Sequence, residues 1–265
     1  MSISLQSPLS PVQSTGSNFT DLVRQGSSGQ RINSAADDAA GSAIVGRLGS
    51  RIDGTAVAER NIGDGLSLLQ TRSGVASGIT EQMQRMREIS VQAGNGILNQ
   101  QDREALNREF TALRDTVTQT LNDAQFNGRA LFDGEPRRLQ TGPDAGQTTE
   151  LAANDLPARL EEAGFSGLTL ANPTADTLAS LDEALSLISE SQTADGASAN
   201  RLLRQADNLS QSRIDASQAR SRIADTDFAE LASSLAQTEV RDQARLLMQS
   251  QANAGREDVL RLLSS

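Results

Sequence analysis

Val75, Ile79, Met83, Met86, Ile89 and Ala93 follow one another at steps of 4, 4, 3, 3 and 4 residues. Five steps cover eighteen residues, the α-helical period, so one apolar stripe runs down one face of a long helix. A second stripe, Leu106, Phe110, Leu113, Val117, Leu121 and Ala124, steps by 4, 3, 4, 4 and 3. Gly94-Asn95-Gly96 separates the two, and Asn99 to Asp102 offers a helix start, so the pair predicts an antiparallel helical hairpin. Its second helix is expected to stop at Phe126-Asn127-Gly128. Met83 and Met86, inside the first stripe, read as gap-filling core residues.

Towards the C-terminus, Leu178, Leu181, Leu185 and Ile188 are followed by Ala199, Leu202, Ala206 and Leu209 in the same heptad phase, continued by Ala216 and Ile223. A phase held over that distance describes a coiled-coil seam, with an interruption expected at Gly196. Thr226 is placed to cap a final helix bearing Phe228, Leu231, Leu235, Val240, Leu246 and Leu247, and Val259, Leu260, Leu262 and Leu263 end the chain. Near the front, Ser34 and Asp37 have capping-box spacing, with Asp37 and Asp38 supplying first-turn negative charge. Gly26 to Gly29 reads as a hinge before them. Ile3, Leu5, Leu9 and Val12 share a face, but Pro8, Pro11 and Gly16 speak against a long unbroken helix there.

Between the helical parts, residues 133–173 hold four of the six prolines. Arg137 to Gln140 and Gln147 to Leu151 flank a Gly-Pro-Asp-Ala-Gly turn and predict a β-hairpin. Leu156 to Ala163 predicts a short helix and Leu168 to Leu170 one more strand. The fold class is therefore mainly α, an elongated bundle of long N- and C-terminal helices with coiled-coil packing and a small β-hairpin-containing cap. Its parts are 1–37 with 225–265, 38–135 with 174–224, and the cap 136–173.

Aromatics make up only 2% of the chain, so burial rests on aliphatic side chains, which suits helices packed side by side. With no His and no Cys, thiol catalysis, disulfides and imidazole-held metals are excluded. Adjacent carboxylates such as Asp37/Asp38 and Glu161/Glu162 point apart on a helix and do not form an acid–base pair. Asp225 and Asp227 read as caps, and Asn-Ile-Gly-Asp-Gly lacks the strand that precedes a phosphate-binding loop. No catalytic, cofactor or metal residue is expected. The net charge is −10 and all 24 basic residues are Arg, a balance that repels a phosphate backbone. No apolar run is long enough to span a membrane, and nothing before Arg24 has the charge pattern of a cleaved secretory signal.

The string Ser28 to Arg47, with Ala219 to Glu230, Gln251-Ala252-Asn253 and the closing Val-Leu-Arg-Leu-Leu, resembles the two terminal halves of bacterial flagellin in the right order and spacing. The likeness extends from Ser28 to Gly134 and over the last third. It departs at the start, where flagellins carry a longer amphipathic stretch and apolar residues in place of Gly26 and Gln30. The resemblance implies a structural subunit that polymerises into the flagellar filament of swimming bacteria, with a short central region. It implies an extracellular location, reached through the flagellum's own export channel without a cleaved signal. The implied partners are the chain itself in a helical homopolymer, the export apparatus and an export chaperone, and the filament cap and hook-junction proteins. No nucleic acid is among them. In flagellins recognised by the animal Toll-like flagellin receptor, the matching contact positions are Arg85, Ile89 and Glu109, with Ile89 in place of a Leu, and several of these also meet neighbouring subunits. Phe228, Leu231, Leu235, Leu260, Leu262 and Leu263 carry terminal assembly by the same resemblance. The alternatives are a hook–filament junction protein of the same family and a coiled-coil adaptor that does not polymerise. Residues 1–33 and 225–265 are too polar to hold a fold alone, and are expected to pair only in the polymer. The sequence leaves open whether this is a major or minor flagellin, the filament's handedness, and whether Thr141, Thr148, Thr149 or Ser166 is glycosylated.

Overall fold

The computed structural model describes residues 12–170 and 175–263, and only the backbone of 12–18, 175 and 256–263. Six helices dominate the described residues: α1 (Val12–Ser28), α2 (Ala39–Ala93), α3 (Gln100–Asp123), α4 (Leu156–Glu162), α5 (Ala175–Ala224) and α6 (Phe228–Leu263). Two small antiparallel hairpins lie between α3 and α4, one of β1 (Gln125–Phe126) and β2 (Arg129–Ala130), the other of β3 (Arg137–Gln140) and β4 (Thr148–Leu151). The mainly helical class with a small β-containing centre is thus the one the periodicities describe. The chain divides into two compact units, one of 51–214 and one of the two ends, up to 50 and from 215.

In the 51–214 unit the two predicted stripes face one core. Met83, Met86, Ile89 and Phe110 are fully buried, and α5 adds Leu181 and Ile188. Asn99 caps α3 by accepting from the Asp102 amide at 2.8 Å, while the Asn99 amide donates to the Asp102 carboxylate. α2 ends at Ala93, as Gly94-Asn95-Gly96 requires. The hairpin β3–β4 pairs Arg137 with Leu151 through Gln140 with Thr148. It is seated on the helices by several contacts. Leu139 lies where a Cβ on Gly65 would be, 2.4 Å from that position, so the absent side chain in α2 makes room for it. Thr141 and Thr149, both buried, share a hydroxyl bond of 2.9 Å and meet the Gln205 side chain at 2.7 and 2.8 Å. Their burial closes both hydroxyls to a sugar, whereas Thr148 and Ser166 are exposed.

Several local expectations are corrected. Phe126-Asn127-Gly128 does not stop α3. Asn127 (φ 51°) and Gly128 (φ 76°) form the two-residue turn of β1–β2, for which two left-handed residues are the requirement, and the helix has already ended at Asp123. Leu168 to Leu170 is not a strand. Its carbonyl at Leu168 and amide at Leu170 are taken by the side chains of Arg114 and Asn107 in α3, at 2.9 and 2.7 Å. α5 runs unbroken through Gly196, because one glycine in a packed helix costs only about 1 kcal/mol relative to Ala.

In the unit formed by the ends, α1 likewise runs through Gly16 and Gly26. Gly26 lets α6 approach, its missing Cβ position being 3.1 Å from the Leu231 side chain. Of the expected hinge only Gly29 is one, in the left-handed conformation that terminates α1 (φ 68°). Ser34 does not cap α2. Asp37 accepts from the Asn33 and Ser34 amides at 2.9 and 2.8 Å and closes a turn, leaving Asp38 to accept from the Gly41 amide at 2.8 Å as the cap. These bonds hold the Asp37 carboxyl below its usual range. Asp227 rather than Thr226 caps α6, accepting from the Ala229 and Glu230 amides at 2.9 and 3.2 Å. Replacing Asp227 by Ala is expected to weaken the start of α6 by about 1 kcal/mol. Hydrogen exchange at the amides of Ala229 and Glu230 reads this directly, and unchanged protection there would show that the cap carries no weight. Ile3, Leu5 and Leu9 lie outside the described residues. So do the side chains of Val12, Leu260, Leu262 and Leu263.

Candidate assembly surfaces

α6 has 36 residues and α1 has 17. At 1.5 Å per residue they are about 54 and 26 Å long, so α1 can cover only half of α6. Contrary to the expectation that the ends pair only in the polymer, they pack against each other within one chain, where Leu231, buried, meets Gly26. Leu235, one turn further, is half-buried, while Phe228 at the start of the helix is exposed. Further along, Val240 is exposed, and Leu246, Leu247 and Met248 are 67%, 70% and 73% exposed. Three consecutive apolar residues span too wide an arc for one neighbouring helix to cover. They ask for partners on more than one side.

The two linkers of this unit hold each other. Gln30 and Asp225 form an isolated antiparallel bridge. The Arg31 amide donates to the Ala224 carbonyl at 2.6 Å, and the Thr226 amide to the Gly29 carbonyl at 3.0 Å. The Arg31 guanidinium donates to the Ile223 carbonyl at 2.8 and 3.3 Å, placing a cation on the negative end of α5. Arg24 joins the same region by pairing with Asp37 and Asp21, both at 3.0 Å. Sequence reasoning missed Arg31, because nothing along the chain signals a partner 192 residues away.

A second, charged surface lies on the 51–214 unit. Arg85 in α2 reaches Glu109 in α3 at 2.9 Å and Glu88 at 3.1 Å, the latter an i,i+3 pair. Those bonds, to Glu109 first and Glu88 second, hold the guanidinium above its usual pKa. The structure thus brings Arg85 and Glu109 together on an exposed face. It does not bring Ile89 there: this residue is fully buried in the core with Met83, Met86 and Phe110. Its step from Met86 keeps it on the inward stripe of α2. Both charged groups are roughly half exposed, and screening leaves such a pair little weight in stability. Glu109→Ala is therefore expected to leave the thermal midpoint of the free chain unchanged, and a drop of several degrees would assign the pair to the fold instead.

The least legible feature is a polar layer inside α2 and α5. Arg72 and Asp195 form an ion pair at 2.9 Å with side chains only 2% and 10% exposed. It lies in sequence between one core around Met83 and another of Ile62, Leu69, Leu151 and Leu202. The Phe132 ring centroid is 6.0 Å from the guanidinium, and the Arg72 Nε has no hydrogen-bond partner among the described residues. A charged residue between Leu69 and Ala76, on a stripe that is otherwise apolar, was the available signal.

Among the described residues no group of acidic side chains is arranged to hold a metal ion, and no helix is long and apolar enough to cross a membrane. Residues 3–136 match the bacterial flagellin N-terminal helical region, and residues 178–263 the bacterial flagellin C-terminal helical region. A flagellin of Halalkalibacterium halodurans is 36% identical over 241 residues, covering 89% of each chain. A flagellin of Bacillus subtilis is 33% identical over 274 residues, covering 89% of this chain and 90% of its own. Among solved structures, the crystal structure of Bacillus cereus flagellin is similar at a TM-score of 0.51 and 26% identity, over 57% of this chain and 88% of that one. A Vibrio parahaemolyticus structure assigned as a flagellar hook-associated protein has a TM-score of 0.59 over 71% of this chain, and at 19% identity it shows the fold alone.

Proposed function

The chain belongs to the bacterial flagellin family, and from that premise we infer how it works as a structural subunit of the flagellar filament. The family is structural, and its filament is an extracellular appendage. The observation that carries the mechanism is the run Leu246, Leu247 and Met248, exposed on a helix that outruns its partner. In a free subunit that surface faces water. In a polymer, neighbouring copies of α6 supply the missing apolar contacts, and burial contributes roughly 25 cal/mol per Å2 of apolar area. Such contacts are heterologous and do not close, which is what a helical filament needs. By resemblance Phe228, Leu235, Leu260, Leu262 and Leu263 belong to this terminal assembly surface, while Leu231 is taken up by α1 within the subunit.

The same reading extends to partners. The subunit leaves the cell through the flagellar export apparatus with an export chaperone and without a cleaved signal, and meets the filament cap and the hook-junction proteins. Arg85 and Glu109 form a contact face for a neighbouring subunit or for the Toll-like flagellin receptor of an animal host. No residue is assigned a catalytic role. Electron microscopy of the purified chain after addition of short filament seeds tests the central claim. Long helical filaments are expected. Rings, or particles that stay soluble, would instead favour the hook–filament junction protein or the adaptor.

A further inference from the structure

Two Asn-Gly dipeptides lie in the chain, and the structure holds them in opposite states. Asn127-Gly128 is the turn of β1–β2, both residues left-handed, with Phe126 and Arg129 paired on either side. Asn95-Gly96 lies in the connection between α2 and α3, where Asn95, Gly96 and Ile97 are all exposed. There the Asn95 Oδ1 accepts from the Ile97 amide at 3.3 Å, and a Cβ placed on Gly96 would meet nothing within 4 Å. That bond folds the Asn95 carboxamide over the Asn95–Gly96 peptide and draws electron density from its Cγ. The chemistry that follows is favoured by that polarisation, by exposure to water and by a following residue without a side chain.

We propose that Asn95 is a site of spontaneous backbone-assisted deamidation, by which the loop between α2 and α3 gains a negative charge after synthesis. Hydroxide removes the proton from the Gly96 amide nitrogen, which attacks the Asn95 Cγ. A C–N bond forms to close a five-membered succinimide, and the carboxamide nitrogen leaves as ammonia. Water then opens the ring at either carbonyl, giving aspartate or isoaspartate at 95, with no change of oxidation state. The attack requires the Asn95 ψ to rotate until the Gly96 nitrogen faces Cγ. Asn127 would have to give up its paired turn to do the same, and each increment of about 1.4 kcal/mol that this adds to the barrier slows the rate about tenfold.

The product changes the local electrostatics in a stated direction. Asn95 follows the C-terminus of α2, where the Gln92 carbonyl already accepts from its amide, and an anion is unfavourable at that end of a helix. The isoaspartate form also lengthens the main chain by one carbon, between the residue-95 Cα and the Gly96 nitrogen, and takes the Asn95 carbonyl that accepts from the Leu98 amide at 3.2 Å out of the main chain as a carboxylate. Loop order and the start of α3 at Asn99 are both exposed to that change.

The test uses the intact chain, aged at mildly alkaline pH and digested with trypsin, which in a chain without lysine cuts only after Arg. Asn95 then falls in the peptide 88–103 and Asn127 in 115–129. The expected result is conversion of 88–103 into two acidic products of equal mass, at least about tenfold faster than any conversion of 115–129. Gly96→Ala, which the open space around Gly96 accommodates, is expected to suppress the conversion of 88–103. Equal rates in the two peptides, no conversion in the native chain, or conversion that persists in Gly96→Ala each overturn the assignment.

Discussion

Arg72→Ala is expected to destabilise the 51–214 unit by about 3–5 kcal/mol, because it leaves the Asp195 carboxylate buried without its cation. For a unit of this size that is a fall in midpoint of about 6–20 °C, readable by thermal melting. The double replacement Arg72→Met with Asp195→Leu is expected to be neutral or to stabilise by about 1–4 kcal/mol, since it removes both desolvation costs together. A single replacement costing less than the double one would show the pair is not buried as a unit. The pH dependence has an unusual sign. Burial pushes the Asp195 carboxyl up, against the pull of Arg72. A carboxyl whose pKa is higher folded than unfolded contributes stability that is fully present below the unfolded value and is lost as pH rises through the folded value. Without Arg72 the carboxyl rises further, so the penalty of Arg72→Ala is expected to be larger at neutral than at acidic pH. Asp37, whose carboxyl is lowered, behaves in the opposite way and loses its contribution as pH falls. The layer is expected to fix the alignment of α2 and α5. A polar residue on an apolar seam forbids registers that would leave it unpaired, and α2 and α5, at 55 and 50 residues, offer many such registers.

The second large effect concerns assembly. Leu246→Glu with Leu247→Glu is expected to abolish seeded polymerisation while leaving the melting of the 51–214 unit unchanged. Both side chains are already in water in the free chain, so charging them costs the subunit little. In the polymer each charge would have to be buried among apolar neighbours, at several kcal/mol per subunit after relaxation. That penalty recurs at every addition, which turns a modest defect per contact into loss of the filament. Sedimentation after seeding measures the outcome. Filaments of wild-type length from the double variant would remove this face of α6 from the mechanism. Arg85 and Glu109 offer a graded comparison: an exposed pair contributes little to folding, so any loss of assembly on their replacement belongs to contact with a neighbour.

Local periodicity was enough to specify the helices and what they bury. A step of 3.6 residues is a local geometric fact, and it identified Val75 to Ala93 and Leu106 to Ala124 as core stripes before any partner was known. The β3–β4 hairpin was legible for the same reason, since a Gly- and Pro-rich turn specifies a reversal locally. The family was legible because two long terminal patterns recur in order. Boundaries between competing local signals were less so: Ser34 and Asp38, or Thr226 and Asp227, are chemically equivalent caps, and neighbouring backbone amides chose between them. Asn127-Gly128 is a helix stop and a hairpin turn in equal measure until Gln125 finds Ala130. Long-range packing set the rest. It left Ile89 fully buried in the core, Arg72 paired with a residue 123 positions away, and Arg31 capping a helix 192 positions away. The physical reason is range: helix propensity and turn chemistry act over a few residues, whereas a buried charge or an exposed apolar face is defined by what packs against it.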